Sequence, residues 1–566
     1  MKQIFPPLLG ILCFFSCSRS ITSTEVLVTS ESGKKCETVQ PVTFTKGVAD
    51  GAVVVNPAVT KQAIEGFGAS LTESTAFVLA CLEPEQRRAV LEEFFGENGA
   101  NFSAARTVIG SSDFTVEGNY SYDDVAGDTL LEHFSLDVHK DGFPKEKYPQ
   151  IKDPNYDVYQ LIMEVQDIKH MQPYRNEWRL IASPWTAPAW MKDNNMFYDK
   201  QNRYGGALLP QYYQTYADYL LRFLQEYRKV SVDFWAITPE NEPMGNDGSW
   251  ESMHLSPQVE AELIGKYIGP TLYNNDFGIV KILGFDQNTF EAGQYTDAIF
   301  SDPQASHYTA GTALHWYGST VSCFPEVLDS LHNLYPDKIL LHTEGCIDNL
   351  GRDGWPGVSD MEGYKESEWF NNDSFWWNKN ATDWAYSTPF WPEWHPKYAP
   401  VHRYAQYIID GLNHWLTGYV DWNMVLDSIG GPTHVGNNCG AELMVNYNNY
   451  QPSTSLNSHQ PSTLNSHQPS TLNPQLSTSH NLYFTPYYYV LKQFSRSMRP
   501  NDVVIETSDT RDEDLHICAV LKSNGSYAVQ MLNTSKQAKT FDLQIGEYFA
   551  NITLEPNCVE TIVVKL

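Results

Sequence analysis

Basic residues are scarce in this chain of 566 residues. It has 38 Lys and Arg against 68 Asp and Glu, which gives a formal net charge of −30 at pH 7. Such a charge repels nucleic acids and anionic membrane surfaces. We therefore expect no nucleic acid among its partners and no electrostatic binding to a membrane.

Cysteine is also scarce, with 9 residues scattered along the chain. None of them forms a CxxC pair, and none has the spacing of zinc ligands. Removing Cys13 and Cys17 with an N-terminal signal leaves 7 of the 9, an odd number. We expect no metal site and few or no disulfides.

Motifs that bind a phosphate or a dinucleotide are missing. The stretch Glu65–Ser70 contains Gly66-Phe67-Gly68, but it lacks the rest of the dinucleotide fingerprint. Glycines at these positions allow close packing in a strand instead. No ordered Ser, His and Asp of a nucleophilic triad stands out either. We therefore expect no cofactor.

The N-terminus carries an apolar run that is too short to span a bilayer as a mature helix. Lys2 followed by Ile4–Phe15 is typical of an export signal. Phe14-Phe15-Ser16-Cys17 resembles a bacterial lipobox, in which Cys17 is lipidated after cleavage, and a plain signal peptide is the alternative. We expect an exported protein, periplasmic or at the cell surface, that touches the membrane only through a lipid anchor at Cys17.

Short apolar strands alternate with amphipathic helices from about Ala63 onward. The eight predicted strands are Glu65–Ser70, Ser103–Ile109, Arg179–Trp185, Val232–Ile237, Val280–Phe285, Thr312–Tyr317, Lys338–His342 and Tyr419–Asn423. Eight such units predict an α/β fold, a (β/α)₈ TIM barrel in residues 63–450.

The remaining segments predict four further parts. Residues 1–17 are the signal or lipoprotein peptide, and residues 18–62 are a tether with N-terminal strands. Residues 481–566 contain alternating runs separated by turns, which predicts an all-β sandwich completed by strands from 18–62. In residues 451–480 the octet Asn457–Leu464 is repeated without change, and such low complexity predicts a disordered insertion. Arg352–Pro400 is long for a loop and rich in Trp, so we expect a lid or wall over the site.

Two of the predicted strands are closely followed by a glutamate. The stretch Trp235–Pro243 passes from apolar residues to Glu240, Asn241 and Glu242, and Lys338–Cys346 ends in the same way at Glu344. Active sites of TIM barrels lie at the carboxyl ends of the strands. A solvated polar loop would explain either stretch alone, but two glutamates at this edge indicate paired-carboxylate chemistry.

With both stretches in view, the chain resembles the glucosylceramidase-like glycoside hydrolase family 30 of retaining β-glycosidases, from about Ile64 to the C-terminus. The resemblance implies that Glu242 is the acid/base, with Asn241 beside it, and that Glu344 is the nucleophile. The family has Ala where this chain has Pro239, a departure that leaves Asn241 and Glu242 intact.

Further positions match the family one by one. The resemblance implies that Arg106 supports the nucleophile, that Tyr317 hydrogen-bonds to it, and that His315 is either functional or a satisfied buried histidine. Trp185 and Trp422 would contact the sugar ring, and Cys346 is most simply a buried thiol. The implied hydroxyl-binding residues are Asp113 and Asn437; a loop-capping role competes for Asp113, and the adjacent Asn438 leaves the register of Asn437 open.

Three functions fit these observations. The first is an exo-acting retaining β-glucosidase of the glucosylceramidase type, which hydrolyses a β-linked glucoside or glucan by double displacement. The second is a β-1,6-glucanase or β-xylosidase with the same machinery. The third is a surface glycan-binding lipoprotein without catalysis, which would be expected to lack one of the two carboxylates; both Glu242 and Glu344 are present.

Overall fold

The computed structural model describes residues 20–173, 177–201, 204–246, 248–347, 372–378, 398–447, 476 and 481–566. The expected signal with Cys17, most of the segment 352–400 and the repeated octets lie outside these residues. Leu476 is the one described residue of segment 451–480, and it is buried in the main core, where few apolar anchors were expected.

Eight parallel strands close into a barrel, which confirms the predicted fold class. In chain order they are β1 (Gly66–Leu71), β2 (Ala104–Ile109), β3 (Arg179–Pro184), β4 (Ala236–Ile237), β5 (Lys281–Asn288), β6 (Thr309–His315), β7 (Ile339–Glu344) and β8 (Leu416–Asp421). Each predicted strand overlaps an observed one. The fourth is the shortest, because only two of the residues predicted from Val232 to Ile237 pair with their neighbours.

Small residues close the barrel between its first, second and last strands. A Cβ atom on Gly68 would lie 1.7 Å from the carbonyl oxygen of Ala104, and one on Gly418 would lie 2.1 Å from that of Gly66. Glycine is therefore required where these backbones approach. Inside the barrel, seven strands each contribute one apolar side chain to a separate small core: Ala104, Ile181, Ala236, Leu283, Ala313, Leu341 and Val420.

Helices surround the barrel and fill its loops. The α-helices are Glu73–Ala80, Pro84–Phe95, Val158–His170, Tyr213–Arg228, Pro257–Glu262, Gly269–Asn274, Ala292–Ser301, Pro303–Tyr308, Pro325–Leu334, Asp373–Trp376, Pro400–Asn413 and Pro486–Ser497, with a π-helical segment at Leu263–Ile268 and 3₁₀ turns at Asp137–His139, Ala189–Met191, Pro210–Tyr212 and Thr289–Glu291. The helix Val158–His170 illustrates the local causes. Asp157 and Gln160 form a capping box at its start, and Leu161, Val165 and Ile168 are buried on one face.

Eleven further strands form one continuous sheet beside the barrel. In sheet order they are Ser20–Thr22, Thr43–Lys46, Tyr548–Leu554, Lys539–Ile545, Val53–Ala63, Val503–Thr507, Leu515–Leu521, Tyr527–Asn533, Cys558–Val564, Glu25–Ser30 and Glu37–Thr38. Side chains from distant strands, such as Val26, Ile505 and Ile552, share one core. The sheet therefore folds back on itself as a sandwich built from both ends of the described chain.

Residues 481–566 are not all-β, so that part of the prediction was wrong. Leu482–Phe484 pairs with Leu443–Val445 in a small sheet that also contains Val425–Asp427. Pro486–Ser497 is then a helix, and the hydroxyl of its N-cap residue Thr485 accepts from the N–H of Tyr488. Its run of aromatic residues is typical of a strand, but here it lies between barrel and sandwich and is buried on nearly every side.

The seven cysteines among the described residues are all buried, and no disulfide joins any two of them. Of the helices that the structure describes, none combines the length and the hydrophobicity needed to cross a bilayer.

Candidate active site

Arg106 lies at the carboxyl-terminal end of the barrel and is completely buried. Its Nη1 donates a hydrogen bond to Glu344 Oε2 at 2.6 Å, and its Nη2 donates to Asn241 Oδ1 and Asp286 Oδ2, each at 2.7 Å. Its Nε donates to Ser183 Oγ at 3.0 Å. These acceptors come from β3, β5, β7 and the loop after β4, so one planar guanidinium fixes four parts of the barrel relative to one another.

Glu344 is the last residue of β7, and its carboxylate is held on both oxygens. Oε2 accepts from Arg106, and Oε1 accepts from the hydroxyl of Tyr317 at 3.0 Å. Burial raises the pKa of Glu344 above its usual value, while the positive charges of His315 and Arg106 oppose that rise. The contacts with Arg106 and Tyr317 stabilise the ionised form.

Glu242 follows β4 in a backbone conformation that side chains rarely adopt, with φ of +52°. Its N–H donates to the carbonyl oxygen of Asp286 at 3.0 Å, which helps to hold this strained conformation. One carboxylate oxygen of Glu242 lies within 4.8 Å of one of Glu344. The side chain of Glu242 is 14% exposed and that of Glu344 is 7% exposed, so Glu242 is the more open to solvent.

His315 ends β6 and is completely buried between carboxylates. Its Nδ1 lies 3.3 Å from Glu242 Oε1 and 4.0 Å from Glu344 Oε1, and its Nε2 lies 3.1 Å from Asp286 Oδ1. Burial lowers the pKa of His315, but the surrounding carboxylates outweigh burial and raise it to about 9. The histidine that the sequence left open is therefore part of the site, and it is an imidazolium at neutral pH.

Glu242, His315 and Glu344 are also one set of side chains that could hold a metal ion by their donor types and proximity. A metal bound there would have to displace the proton of His315, because both ring nitrogens face carboxylates. The imidazolium already supplies a positive charge between the two glutamates.

Asp286 was missed by the sequence analysis. β5 is irregular at this point, with positive φ at both Phe285 and Asp286 and a register shift against β6. The bulge turns Asp286 into the barrel, where it accepts hydrogen bonds from Arg106 and from the hydroxyls of Thr238 and Thr343 at 2.8 and 2.7 Å. The opposing charges of Arg106 and His315 lower its pKa despite burial.

Two tryptophans line the site beside Arg106. The rings of Trp185 and Trp422 stack with centroids 4.8 Å apart, and the guanidinium of Arg106 lies 4.6 Å from the ring centroid of Trp185. Phe114 packs edge-on against Trp422 at 5.9 Å. These rings form a packed aromatic wall, and apolar surface of this kind suits the C–H face of a sugar ring.

Asp113 and Asn437 meet across two loops. Asn437 Nδ2 donates to Asp113 Oδ2 at 2.7 Å, whereas Asn438 Nδ2 donates to the carbonyl oxygen of Ile429. The structure thus brings Asn437, rather than its neighbour, to Asp113. Asp113 is buried, and burial together with the charge of Glu344 raises its pKa well above the usual value.

The sequence of the barrel matches one family model. Residues 64–355 and 393–452 match the TIM-barrel domain of glycosyl hydrolase family 30, and residues 503–562 match the β-sandwich domain of the same family. The chain belongs to glycosyl hydrolase family 30. Within that family, the carboxylate spacing above fits retention, for which separations of about 5 Å are typical.

Related proteins include glucosylceramidases and endo-1,6-beta-D-glucanases. Lysosomal acid glucosylceramidase of Mus musculus is 26% identical over 84% of this chain and 76% of its own length. Endo-1,6-beta-D-glucanase of Neurospora crassa is 31% identical over 50% of this chain and 53% of its own length. Among solved structures, the endo-beta1,6-glucanase BT3312 has a TM-score of 0.68 at 24% identity, covering 96% of this chain and 99% of that chain, which supports the fold.

As a family 30 member, the protein is a glycoside hydrolase with retaining β-glycosidase chemistry. Seven of the nine residues selected from the sequence are linked by contacts at the carboxyl end of the barrel. The other two, Asp113 and Asn437, bind each other, and the charge of Glu344 acts on Asp113. Sequence reasoning missed Asp286 and the hydroxyls of Thr238 and Thr343. One signal was available for Asp286, since Asp286-Gln287-Asn288 follows the apolar run of β5 directly.

Proposed function

We propose that this protein hydrolyses β-glucosides by double displacement, with Glu344 as the nucleophile and Glu242 as the acid/base. The observation that carries the proposal is that a carboxylate oxygen of Glu242 lies within 4.8 Å of one of Glu344. Separations of roughly 6.5 Å or more would instead leave room for a water molecule and favour inversion.

The contacts of the two glutamates support different roles. Arg106 touches Glu344 at 2.6 Å, and Tyr317 donates to the other oxygen, so the negative charge of the pair is best stabilised on Glu344. Glu242 is the more exposed of the two glutamates and can reach a leaving group, as the acid/base must.

In the first half of the reaction, Glu242 donates its proton to the glycosidic oxygen as the bond between this oxygen and the anomeric carbon breaks. A carboxylate oxygen of Glu344 forms a bond to the anomeric carbon and gives a glycosyl ester. In the second half, Glu242 takes a proton from water, and the water oxygen displaces Glu344. During both halves of the reaction, the charge of Glu344 is stabilised by the ion-pair network of Arg106, Asp286 and His315.

The residues around the dyad support binding of the sugar at the inner end of the site. Trp185 and Trp422 would contact the ring, and Asn241 would donate a hydrogen bond from its amide, since its Oδ1 is occupied by Arg106. Asp113 and Asn437 would bind hydroxyl groups. Hydroxyl contacts that strengthen as positive charge develops on the ring stabilise the transition state.

For the substrate we propose a β-linked glucoside of the glucosylceramide type, a sphingolipid, with a β-1,6-glucan as the second candidate. The first is supported by the lysosomal glucosylceramidase, whose alignment covers 84% of this chain. The second is supported by the Neurospora crassa glucanase, which is the more identical of the two but covers 50% of the chain.

The roles are tested with Glu242→Ala and aryl β-glucosides. An activated aryl group leaves without protonation, so the glycosyl-enzyme should form and accumulate. Added azide should then restore turnover and give the β-glucosyl azide. For poor leaving groups we expect a loss of about 10²–10⁴-fold. Rescue of Glu344→Ala to the β-azide, with none for Glu242→Ala, would contradict the assignment. Parallel assays with glucosylceramide and β-1,6-glucan separate the two substrates.

We also propose that the protein is exported and anchored by lipid on Cys17. The support is the sequence Phe14-Phe15-Ser16-Cys17 after an apolar run of signal length. Mass analysis of the protein from the native membrane fraction should find a lipid on an N-terminal Cys17. An unmodified mature N-terminus beyond Cys17 would contradict this.

A further inference from the structure

Two charged side chains near the site take no part in the steps above. Glu251, in the loop after β4, is completely buried, and His434, in the loop after β8, has a side chain that is 12% exposed. His434 Nε2 lies 3.4 Å from Glu251 Oε2. Within the described residues, neither oxygen of Glu251 accepts a well-aligned hydrogen bond, so this ion pair is the contact that holds its charge.

His434 also fastens its loop to the loop after β2. Its backbone N–H donates to the carbonyl oxygen of Thr115 at 3.2 Å, and its Nδ1 lies 3.3 Å from the same oxygen. The neighbouring hydroxyl of Thr433 donates to the carbonyl oxygen of Asp113 at 2.8 Å. These contacts flank the bond between Asn437 and Asp113. The loop that carries Asn437 therefore packs against the loop that carries Asp113, and His434 forms part of this contact.

Glu251 belongs to the same loop as Glu242. The base of that loop is closed by hydrogen bonds from Leu255 N–H to Pro243 O at 2.9 Å and from Gly245 N–H to Glu242 O at 2.8 Å. The ion pair of Glu251 with His434 consequently joins the loop of the acid/base to the two loops of the hydroxyl-binding pair.

The charges around His434 agree with this geometry. Burial lowers the pKa of His434, whereas the carboxylates of Glu251 and Asp113 raise it, and the net shift is upward. The charged form of His434 is therefore favoured by one acidic side chain in each of two loops. Losing it would remove the ion pair with Glu251 and weaken the contact between the loops.

We propose that Glu251 and His434 are a positioning pair, which holds Asp113 and Asn437 at a fixed distance from Glu242. The inference rests on the proposed hydroxyl-binding role of Asp113 and Asn437. In this arrangement, binding of a sugar hydroxyl by Asp113 places the glycosidic oxygen at a fixed distance from the carboxyl group of Glu242. A misplacement of about 1 Å can reduce a rate by roughly 10²-fold. We therefore expect kcat/KM to fall by about 10- to 100-fold when the pair is removed.

The test uses His434→Ala, Glu251→Ala, their double variant and the conservative Glu251→Gln. The double variant removes both charges, so a stability defect caused by one lone buried charge is absent from it. His414→Ala is the matched control, because His414 also pairs with a carboxylate, Asp329 at 3.0 Å, but lies just before β8, at the opposite end of the barrel.

Each variant is assayed with an aryl β-glucoside and with its four monodeoxy analogues. The ratio of kcat/KM for the parent to that for each analogue measures how strongly one hydroxyl is used. Asp113→Ala identifies the hydroxyl that Asp113 binds, as the position whose ratio falls. That same ratio should fall in His434→Ala, Glu251→Ala and the double variant, and the double variant should lose no more than the worse single variant. Glu251→Gln keeps an oxygen that can accept from His434 but loses the charge, so its ratio should fall less than that of Glu251→Ala. His414→Ala should keep the wild-type ratio.

Equal losses on the parent and all analogues would overturn the positioning role and leave a structural one. If the fold-loss of kcat/KM in the double variant equals the product of the two single losses, Glu251 and His434 act independently, and the proposed pair is wrong. If Asp113→Ala leaves every ratio unchanged, the hydroxyl-binding role itself is wrong and the inference falls with it. If the kcat/KM ratio falls in Asp113→Ala but not in the His434 and Glu251 variants, the positioning role is wrong while the hydroxyl-binding role of Asp113 stands.

Discussion

Two buried ion pairs of this protein differ in where they lie and in what surrounds them. Arg106 and Glu344 meet at the carboxyl end of the barrel. Lys492 and Glu93 meet between the helices Pro486–Ser497 and Pro84–Phe95, and both side chains are almost completely buried. The hydroxyl of Tyr488 donates to Glu93 at 2.6 Å and completes this second cluster.

The difference lies in the second carboxylate. The pair of Arg106 and Glu344 faces Glu242 within 4.8 Å, an arrangement that is unfavourable for folding and necessary for double displacement. The pair of Lys492 and Glu93 connects two helices beside the sandwich, and the adjacent Gln493 donates a hydrogen bond to Thr561 of the sandwich at 3.0 Å. Changes at the first pair should therefore act on catalysis, and changes at the second should act on stability.

The largest effect is expected for Glu344→Gln. An amide cannot form the glycosyl ester, so turnover of every substrate should fall by at least about 10⁴-fold. The variant should keep its fold, because the amide oxygen of Gln can accept from Arg106 while its NH2 group donates to the hydroxyl oxygen of Tyr317. Steady-state assays on aryl and natural β-glucosides check this, with circular dichroism as the control. A variant with more than a few per cent of wild-type activity would contradict the comparison.

Arg106→Lys should have the next largest effect. One ammonium cannot reach Glu344, Asn241 and Asp286 together, so the dyad loses its fixed geometry and part of its charge compensation. We expect kcat to fall by about 10²–10³-fold, the size found when one preorganised donor is removed. A fall of less than fivefold would show that the fork of hydrogen bonds is not needed.

Lys492→Met should destabilise the protein without changing its chemistry. Glu93 would lose the opposite charge of Lys492, and breaking a buried ion pair typically costs about 3–5 kcal/mol of unfolding free energy. Adding Glu93→Gln should recover most of that loss, since Tyr488 can donate to the amide oxygen. Denaturant unfolding measures the stability, and kcat at a permissive temperature should match the wild type. Lys266→Met, which breaks an exposed pair with Glu262, is the control and should leave stability unchanged.

The smallest predicted effect concerns the pH dependence of stability. The folded pKa of His315 is raised from 6.5 to about 9, so its contribution is complete below pH 6.5 and is lost as the pH rises through 9. The stability difference between the wild type and His315→Gln should shrink over that range by up to about 3 kcal/mol. Urea unfolding at a series of pH values measures it. A difference that stays constant with pH would contradict a charged His315.

The barrel could be predicted from the sequence because each strand is an apolar run that ends in polar residues. Glu242 and Glu344 were found for the same reason. Asp286 also follows an apolar run, but its direction into the barrel depends on a bulge with positive φ at two non-glycine residues, which no hydrophobic pattern encodes. The role of His315 was left open, since its neighbours Glu242 and Asp286 come from other strands.

The helix Pro486–Ser497 shows a different limit. Its three consecutive tyrosines favour a strand by intrinsic preference, but tertiary burial between barrel and sandwich decides the outcome. The start signal was present in the sequence as Thr485-Pro486, a capping residue followed by proline at the first helical position. Local capping was the better guide here than the residue composition.

The most direct test of the account is to trap the covalent intermediate. A 2-deoxy-2-fluoro-β-glucoside with a dinitrophenyl leaving group slows both steps, because fluorine destabilises the positively charged transition state, but the good leaving group keeps the first step the faster. We predict stoichiometric inactivation and a fluoroglucosyl label on the peptide that contains Glu344. A label on Glu242, or inactivation without any covalent adduct, would contradict it.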